Sequence, residues 1–456
     1  MSRTSQPLQS LSQWLERIQQ LHPQEIDLGL ERVKVVADRL GLTRPAPYVI
    51  TVTGTNGKGS HVATLDALFR HAGLRVGCYT SPHLLRYNER VCVQGEPVAD
   101  QELVEAFDRI EAARGEVSLT YFEFGTLAAL MIFERSALDV AVLEVGMGGR
   151  LDAVNIIDAD LAIVTHIDLD HQEWLGNTRE AIAQEKAGIF RAGKPVVCAE
   201  ANPPSTLIAA ADSLGCPLYL PGRDYHWRFE SDLAWTWQGV IEAGSTHVGS
   251  TRAPIELKAL PAPALALYNV ASALQAALLS GLITEAVRDP LAWSRAIAPV
   301  LQNLQLAGRQ QWLPVAPGQA RVMVDVAHNP HAAQALADRL EREKKHLPAN
   351  SRVHLVVAMM ADKDHSGFYR ALEKQVDFWY IAHFDLARCL PANELADIWR
   401  KQSAASANNA PDITVFASVA EAFAAASQRA DVNDMVVVCG SFITVADAMA
   451  AHRDQH

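Results

Sequence analysis

No Cys-x-x-Cys pair occurs in this sequence. Its six cysteines, Cys78, Cys92, Cys198, Cys216, Cys389 and Cys439, are scattered through 456 residues. That spacing argues against a zinc ribbon or a disulfide framework and leaves reduced thiols used as small core residues. Positive charge is also short: 40 Lys and Arg stand against 52 Asp and Glu, a net charge of -12. An acidic chain is poorly suited to general nucleic-acid or membrane-surface binding, so anionic substrates would need local clusters of Arg and Lys. No basic stretch followed by an apolar run opens the chain, and no secretory leader is expected. The apolar stretch from Phe124 to Phe133 is too short to span a bilayer and contains Gly125 and Thr126. There is no internal repeat and no long low-complexity tract. These absences together point to a soluble, cytoplasmic protein.

What is present is apolar residue in quantity, 49% of the chain, over a length that favours two or three domains. Apolar strand-like runs alternate with amphipathic helical patterns, as in a parallel sheet covered by helices. Val49 to Thr53, Arg75 to Thr80, Val140 to Val145, Leu161 to His166 and Pro195 to Cys198 read as buried strands. Val62 to His71, Gln101 to Ala113, Tyr121 to Arg135, Thr178 to Phe190 and Leu265 to Leu279 read as helices. From Asp224 to Lys258, Trp227, Trp235 and Trp237 sit among polar residues at near alternation, which predicts an antiparallel excursion. A new alternation follows, with strands at Arg321 to Val326, Val353 to Met359, Phe378 to Ala382 and Met435 to Cys439 and a helix at Pro330 to Arg342. The expected class is α/β. A P-loop ATPase-like domain with a mostly parallel sheet spans residues 1–303, a linker residues 304–312, and a smaller Rossmann-like domain residues 313–456.

The chemistry-bearing segments fall just after these strands. Thr53-Gly54-Thr55-Asn56-Gly57-Lys58-Gly59-Ser60 is a glycine-rich turn between a strand and a helix, with a lysine and a hydroxyl. Bare backbone N–H groups and a helix N-terminus suit a phosphate group. The generic G-x-x-x-x-G-K-[ST] form does not fit, because Val52 and Gly59 occupy two of its defining positions. Glu144 ends an apolar strand at the edge where ligands sit in open α/β sheets; it suits Mg²⁺ beside phosphate, or is a charge reaching solvent. The following Gly146, Gly148 and Gly149 do not complete a dinucleotide fingerprint, since Leu151 takes the last glycine position. Asp170-His171 offers a metal ligand, a charge partner or a plain surface pair. Lys186, by composition, is an ordinary solvated or ion-paired lysine. Asp325-Val326-Ala327-His328-Asn329-Pro330 follows the first strand of the second domain, as a ligand edge or as a turn and helix cap.

In order, these segments resemble the Mur ligase superfamily and, within it, the bacterial dihydrofolate synthase/folylpolyglutamate synthase family. The resemblance covers nearly the whole chain. Its marks are Asp27-Leu28-Gly29-Leu30-Glu31-Arg32-Val33, the Gly54 to Ser60 loop, Thr80-Ser81-Pro82-His83-Leu84 and Leu119-Thr120-Tyr121-Phe122-Glu123. They continue through Glu144 to Asn155, Asp170-His171, Glu185-Lys186-Ala187-Gly188-Ile189-Phe190 and Asp325 to Pro330. The linker departs from the family pattern: Ala307-Gly308-Arg309-Gln310 stands where Pro-Gly-Arg-Phe is common.

The resemblance implies an ATP-dependent ligase that joins L-glutamate to 7,8-dihydropteroate and adds glutamates to reduced folates through an acyl phosphate. It implies that Thr55, Asn56, Gly57, Lys58, Gly59 and Ser60 cradle the ATP phosphates. Ser81 and Glu144 match ligands of one Mg²⁺, and His171 matches the ligand of a second. Lys186 matches a lysine carbamylated by CO₂, which converts an ammonium into a carboxylate able to hold that second ion. Asn269 matches the asparagine near adenine, and Arg309 and Asp325 match ATP contacts. His328 joins Lys58 and Lys186 in the implied catalytic set, with the second domain completing the ATP and glutamate site. Asp27, Leu28, Gly29, Thr120, Tyr121, Phe122, Glu123, Leu151, Asp152 and Ala153 match the pterin pocket. No residue is identified as a general base. The implied partners are small molecules, with neither nucleic acid nor membrane, and the implied state is a monomer. A cell-wall ligase of the same superfamily would carry a substantial N-terminal domain before the phosphate loop, and Gly54 leaves little room for one. A non-ligase P-loop ATPase would not need the ligand edge of the second domain.

Overall fold

The apolar runs of the first half pair as one sheet. Its strands are β1 (Tyr48–Thr53), β2 (Val76–Tyr79), β3 (Val91–Val93), β4 (Glu96–Pro97), β5 (Val140–Glu144), β6 (Leu161–Val164), β7 (Val196–Cys198) and β8 (Leu218–Tyr219). The order is β4-β3-β2-β5-β1-β6-β7-β8. Strands β2, β5, β1, β6, β7 and β8 run parallel, while β3 and β4 add an antiparallel edge. A parallel strand covered by helices on both faces must be apolar on both faces, and every residue of β5 and β6 is buried. The computed structural model describes residues 10–24, 26–243, 251–386, 388–405 and 411–454. The chain divides into two units, Met1–Leu304 and Gln305–His456.

The topology positions the first unit's ligand edge. From β1 the chain passes to β2 on one side, returns to β5, then crosses to β6 on the other side of β1. Such a reversal opens a crevice beyond the strand carboxyl ends. Register places Glu144 level with Val52, and Val164 level with Thr53. The three loops that follow β1, β5 and β6 therefore adjoin.

The helix after β1 spans Lys58–His71, one turn earlier than the expected start at Val62. Gly57, at φ 91°, turns the chain directly into it, so Lys58 and Ser60 lie in its first turn. The antiparallel excursion is a separate sheet of β9 (His226–Ser231), β10 (Ala234–Ala243) and β11 (Thr251–Pro261), in the order β11-β10-β9. Of the stretch expected to form it, residues 244–250 lie outside the described residues. Trp235 and Trp237 are fully buried there. Their indole N–H groups donate to Pro261 O (2.8 Å) and Ala271 O (2.9 Å), as buried tryptophans require.

The second unit builds a six-stranded sheet from β12 (Gln311–Leu313), β13 (Arg321–Val324), β14 (Val353–Val357), β15 (Phe378–Ile381), β16 (Asp412–Val415) and β17 (Met435–Cys439). Its order is β12-β13-β17-β14-β15-β16, parallel except for β12. The segment expected as a linker thus runs into this sheet at Gln311. Leu336 and Leu340 of the helix Pro330–Lys344 pack with Leu355, Val357 and Val437 in a core of the unit's own.

All six cysteines are free, and only Cys92 is less than buried. Among the described residues, no helix is long and apolar enough to cross a membrane.

Candidate active site

The turn after β1 is shaped by its neighbours rather than by its own side chains. Gly54 has φ 151°, and a Cβ there would stand 1.7 Å from Thr165 Oγ1. A Cβ at Gly57 would stand 2.6 Å from Asn269 Oδ1. Thr165 donates its hydroxyl to Asn56 O (2.6 Å) and its N–H to Thr53 O (2.8 Å). Lys58 Nζ folds over the turn, donating to Gly54 O (3.1 Å) and, more weakly, Thr55 O (3.4 Å). The helix N-terminus and this ammonium give the turn the positive field a phosphate needs. Ser60 is buried in the same first turn. Behind it, His61 bridges Gly57 O (2.8 Å) and Ser272 Oγ (2.6 Å). Burial lowers the His61 pKa to about 4, against the hydrogen bond to Gly57, so the ring is a neutral tie. Through Ser272 it fixes the helix Leu267–Leu279, which carries Asn269 against the turn.

Glu144 is buried rather than reaching solvent. Ser81 N–H donates to its Oε2 at 3.3 Å, so the two residues assigned to one metal meet directly. The glycines after Glu144 permit close approach. A Cβ on Gly149 would lie 2.9 Å from both Glu185 O and Lys186 O, and one on Gly188 would lie 2.3 Å from Arg150 Cβ. Arg150 N–H donates to Glu185 O (2.8 Å), sealing the contact. The end of the helix Arg179–Ala187 is thereby held against this loop, and Lys186 is buried.

Lys186 is therefore not the solvated lysine its composition suggests. Burial and then the positive charge of Lys58 lower its pKa to about 7, with Asp170 and Asp152 pulling the other way. Asp152 is buried as well. Burial raises its pKa to about 6, although Met147 N–H (2.9 Å) and Val154 N–H (3.0 Å) donate to it and Lys58 favours its charge. Lys58, Asp152, Asp170 and Lys186 are thus electrostatic neighbours.

The loop after β6 carries His171 in the left-handed region, at φ 50° and ψ 41°, with its side chain 42% exposed. Its N–H donates to Asp170 Oδ1 (3.0 Å). Among the described residues, no three His, Cys, Asp or Glu side chains form a metal-holding group. A hard divalent ion here would take its remaining oxygens from phosphate and water.

The residues matched to the pterin pocket form a second cluster in the first unit. Arg32 binds Asp27 through its carboxylate (2.7 Å) and its carbonyl (2.6 Å) and reaches Glu123 (3.2 Å). Leu28 and Gly29 are half-buried beside Asp27. Thr120 and Glu123 form a capping box on the helix Tyr121–Arg135, at 2.7 and 3.2 Å. Thr120 Oγ1 and Glu123 Oε2 cap the helix, Glu123 Oε1 faces Arg32, and Tyr121 and Phe122 are half-buried beside them. Phe122 fills the space beside Gly146, where a Cβ would meet its ring at 2.7 Å. Tyr121 packs edge-on against Tyr87, and the Arg90 guanidinium lies over both rings. Ala153 is buried and Leu151 half-buried beside Asp152.

In the second unit, Asp325 is buried and accepts from Gln310 N–H (2.9 Å) and Ala327 N–H (2.7 Å). Burial raises its pKa, opposed first by Arg309. The Arg309 guanidinium lies 4.9 Å from the centre of the Phe442 ring. His328 is half-buried, with Nδ1 at 3.0 Å from Val326 O, and Asn329 caps the helix Pro330–Lys344.

Sequence reasoning missed the roles of Thr165 and His61. Thr165 falls within the predicted strand Leu161 to His166, but nothing local marks a hydroxyl that wedges against a glycine 111 positions away along the chain. His61 carried no signal beyond following Ser60.

Two family descriptions match the chain: the Mur ligase middle domain over residues 52–277, and the Mur ligase glutamate ligase domain over residues 308–442. The dihydrofolate synthase/folylpolyglutamate synthase of Escherichia coli (strain K12) is 44% identical over 451 residues, covering 98% of this chain and 97% of that protein. A solved structure of E. coli FolC in complex with DHPP and ADP has a TM-score of 0.85 at 43% identity, covering 99% of this chain and 100% of that one. A bifunctional folylpolyglutamate synthase/dihydrofolate synthase solved with Mn, AMPPNP and L-glutamate bound has a TM-score of 0.82 at 43% identity, with the same coverage.

Proposed function

We infer the reaction from one premise: this chain belongs to the Mur ligases, in the dihydrofolate synthase/folylpolyglutamate synthase family. It is an ATP-dependent amide ligase that joins L-glutamate to 7,8-dihydropteroate and extends reduced folates by further glutamates. The observation that carries this is the phosphate loop at the switch point beside Glu144, within a full-length match to these ligases.

A carboxylate is a poor acyl donor because it has no good leaving group. Transfer of the γ-phosphoryl group of ATP to the pteroate carboxylate gives an acyl phosphate and ADP. The glutamate α-amine attacks its carbonyl, loses a proton, and the tetrahedral intermediate expels phosphate to leave an amide. Lys58 and the N-terminus of the helix Lys58–His71 hold the phosphates where charge moves. Holding reacting groups in line can supply up to about 7–11 kcal/mol of a barrier. Tyr121 and Phe122 offer aromatic faces to the pterin, with Asp27 and Asp152 as polar groups at its rim.

The donor set fits divalent metal. Glu144 is a buried carboxylate already aligned on Ser81, and these two would hold one Mg²⁺. His171 and Lys186 would hold a second. Bound there, such ions offset phosphate charge. The lowered pKa of Lys186 supports its carbamylation, since the neutral amine adds CO₂ and releases a proton. In the second unit, Arg309, Asp325 and His328 are the residues that the resemblance assigns to nucleotide and glutamate recognition. The enzyme acts as a monomer on small molecules in the cytoplasm, where its free cysteines stay reduced.

The test is phosphate release with dihydropteroate and glutamate added separately and together, with mass spectrometry of the product. Release only with both, and a product carrying added glutamate, is expected. Release independent of glutamate would reject the ligase. Glu144→Ala is expected to abolish glutamate-dependent ADP release while keeping its melting temperature within a few degrees; near wild-type turnover would reject the metal role.

A further inference from the structure

We propose that Glu200, outside the phosphate loop and two residues beyond β7, is a positioning residue that sets the shape of that loop for ATP. Its side chain is 10% exposed. One carboxylate oxygen accepts from Ile167 N–H (2.7 Å) and stands 2.5 Å from His166 Nδ1. The other accepts from the Arg179 guanidinium (2.6 Å), and Arg179 Nε donates to Ile167 O (2.9 Å). Both backbone groups of Ile167 are thereby held by side chains.

The segment so held is the one that holds the phosphate loop. His166 O accepts from Thr55 N–H (2.7 Å). The Thr55 hydroxyl donates to Asp168 O (3.0 Å) and accepts from Asp168 N–H (3.1 Å). Thr165 Oγ1 donates to Asn56 O (2.6 Å). A glycine-rich turn has few side chains of its own to pack, so its conformation is imposed by such contacts. They are rigid only if segment 165–168 is rigid, and Glu200 and Arg179 are its anchors. The anchor is ionic: burial pushes the Glu200 carboxyl up, but hydrogen bonds from His166 and Ile167 and the charges of His166 and Arg179 outweigh it and hold the pKa low.

This rests on Gly54 to Ser60 being the ATP loop, so wild-type binding of AMPPNP with Mg²⁺ is measured first; failure there counts against the function and not against the positioning. Given wild-type binding, Glu200→Ala is expected to weaken AMPPNP about 10- to 100-fold, the scale of a buried charged hydrogen-bond group. KM for ATP should rise while KM for dihydropteroate stays within about two-fold, which a general loss of stability would not produce. Glu200→Gln should fall between, because its amide oxygen still accepts from Ile167 N–H. Arg179→Met, at a more exposed position, should weaken AMPPNP in the same direction and serves if Glu200→Ala does not fold. Combined with Thr55→Ala, Glu200→Ala should cost less than the product of the single effects, because both remove the same support. Wild-type AMPPNP affinity in Glu200→Ala or Arg179→Met, equal rises in both KM values, or fully multiplicative effects would overturn the proposal.

Discussion

A lysine amine with an ordinary pKa is protonated at neutral pH and does not attack CO₂. Lys186 differs because burial, then Lys58, bring its pKa from 10.5 to about 7. The same shift has a stability consequence. Between pH 7 and 10.5 the unfolded chain keeps this proton while the folded chain has lost it. The unfolded state binds more protons there, so this group's contribution to stability rises with pH and is least favourable below pH 7. In CO₂-free, metal-free buffer, Lys186→Met should melt a few degrees higher than wild type at pH 6. Calorimetry across pH should show that gap narrowing toward pH 10; an unchanged gap would show that the charge is not the cause. Lys186→Ala should lose ligase activity and regain part of it with a small added carboxylic acid. Activity without the additive would remove carbamylation from the mechanism.

Secondary structure elements show why the turn after β1 tolerates so little. Gly54→Ala would drive a methyl group into Thr165 and strain a backbone at φ 151°; nucleotide binding, followed by titration with AMPPNP, should be lost. Gly41→Ala is the control, at the left-handed end of the helix Glu31–Leu40 with nothing within 4 Å of the new carbon. It should cost about 1 kcal/mol of stability and leave kcat and KM unchanged. The long parallel strands and their helices were legible because burial on both faces writes a continuous apolar run, as in Val140 to Glu144. The placement of the Gly54 to Ser60 turn between a strand and a helix was legible because glycine, lysine and hydroxyl fall in that order. What escaped notice was too short to show a period, open to two readings of one spacing, or dependent on distant partners. The edge strands β3 and β4 have three and two residues, too few to show a period. Thr120 and Glu123 were assigned to substrate, although their spacing also spells a capping box, and the structure uses them as one. The burial of Lys186 depends on glycines in another loop, and a helix pattern by itself shows no such closure.

At the scale of the whole molecule, each unit has its own sheet, and the second has a core drawn from its own strands and helices. A fragment of residues 305–456 should therefore fold alone, giving a single cooperative melt by circular dichroism; a molten or aggregated fragment would refute independent folding. It lacks Lys58, Glu144 and Lys186 and should make no product. In the first unit, Gly149 and Gly188 each make room for the backbone or side chain of the other's segment. Drift in this enzyme is consequently ratcheted at these two positions: a larger residue at either one wedges the helix end away from its loop, and no single second change restores the fit. Libraries meant to broaden substrate choice should spare both segments together and spend their diversity on the aromatic wall around Tyr121 and Phe122.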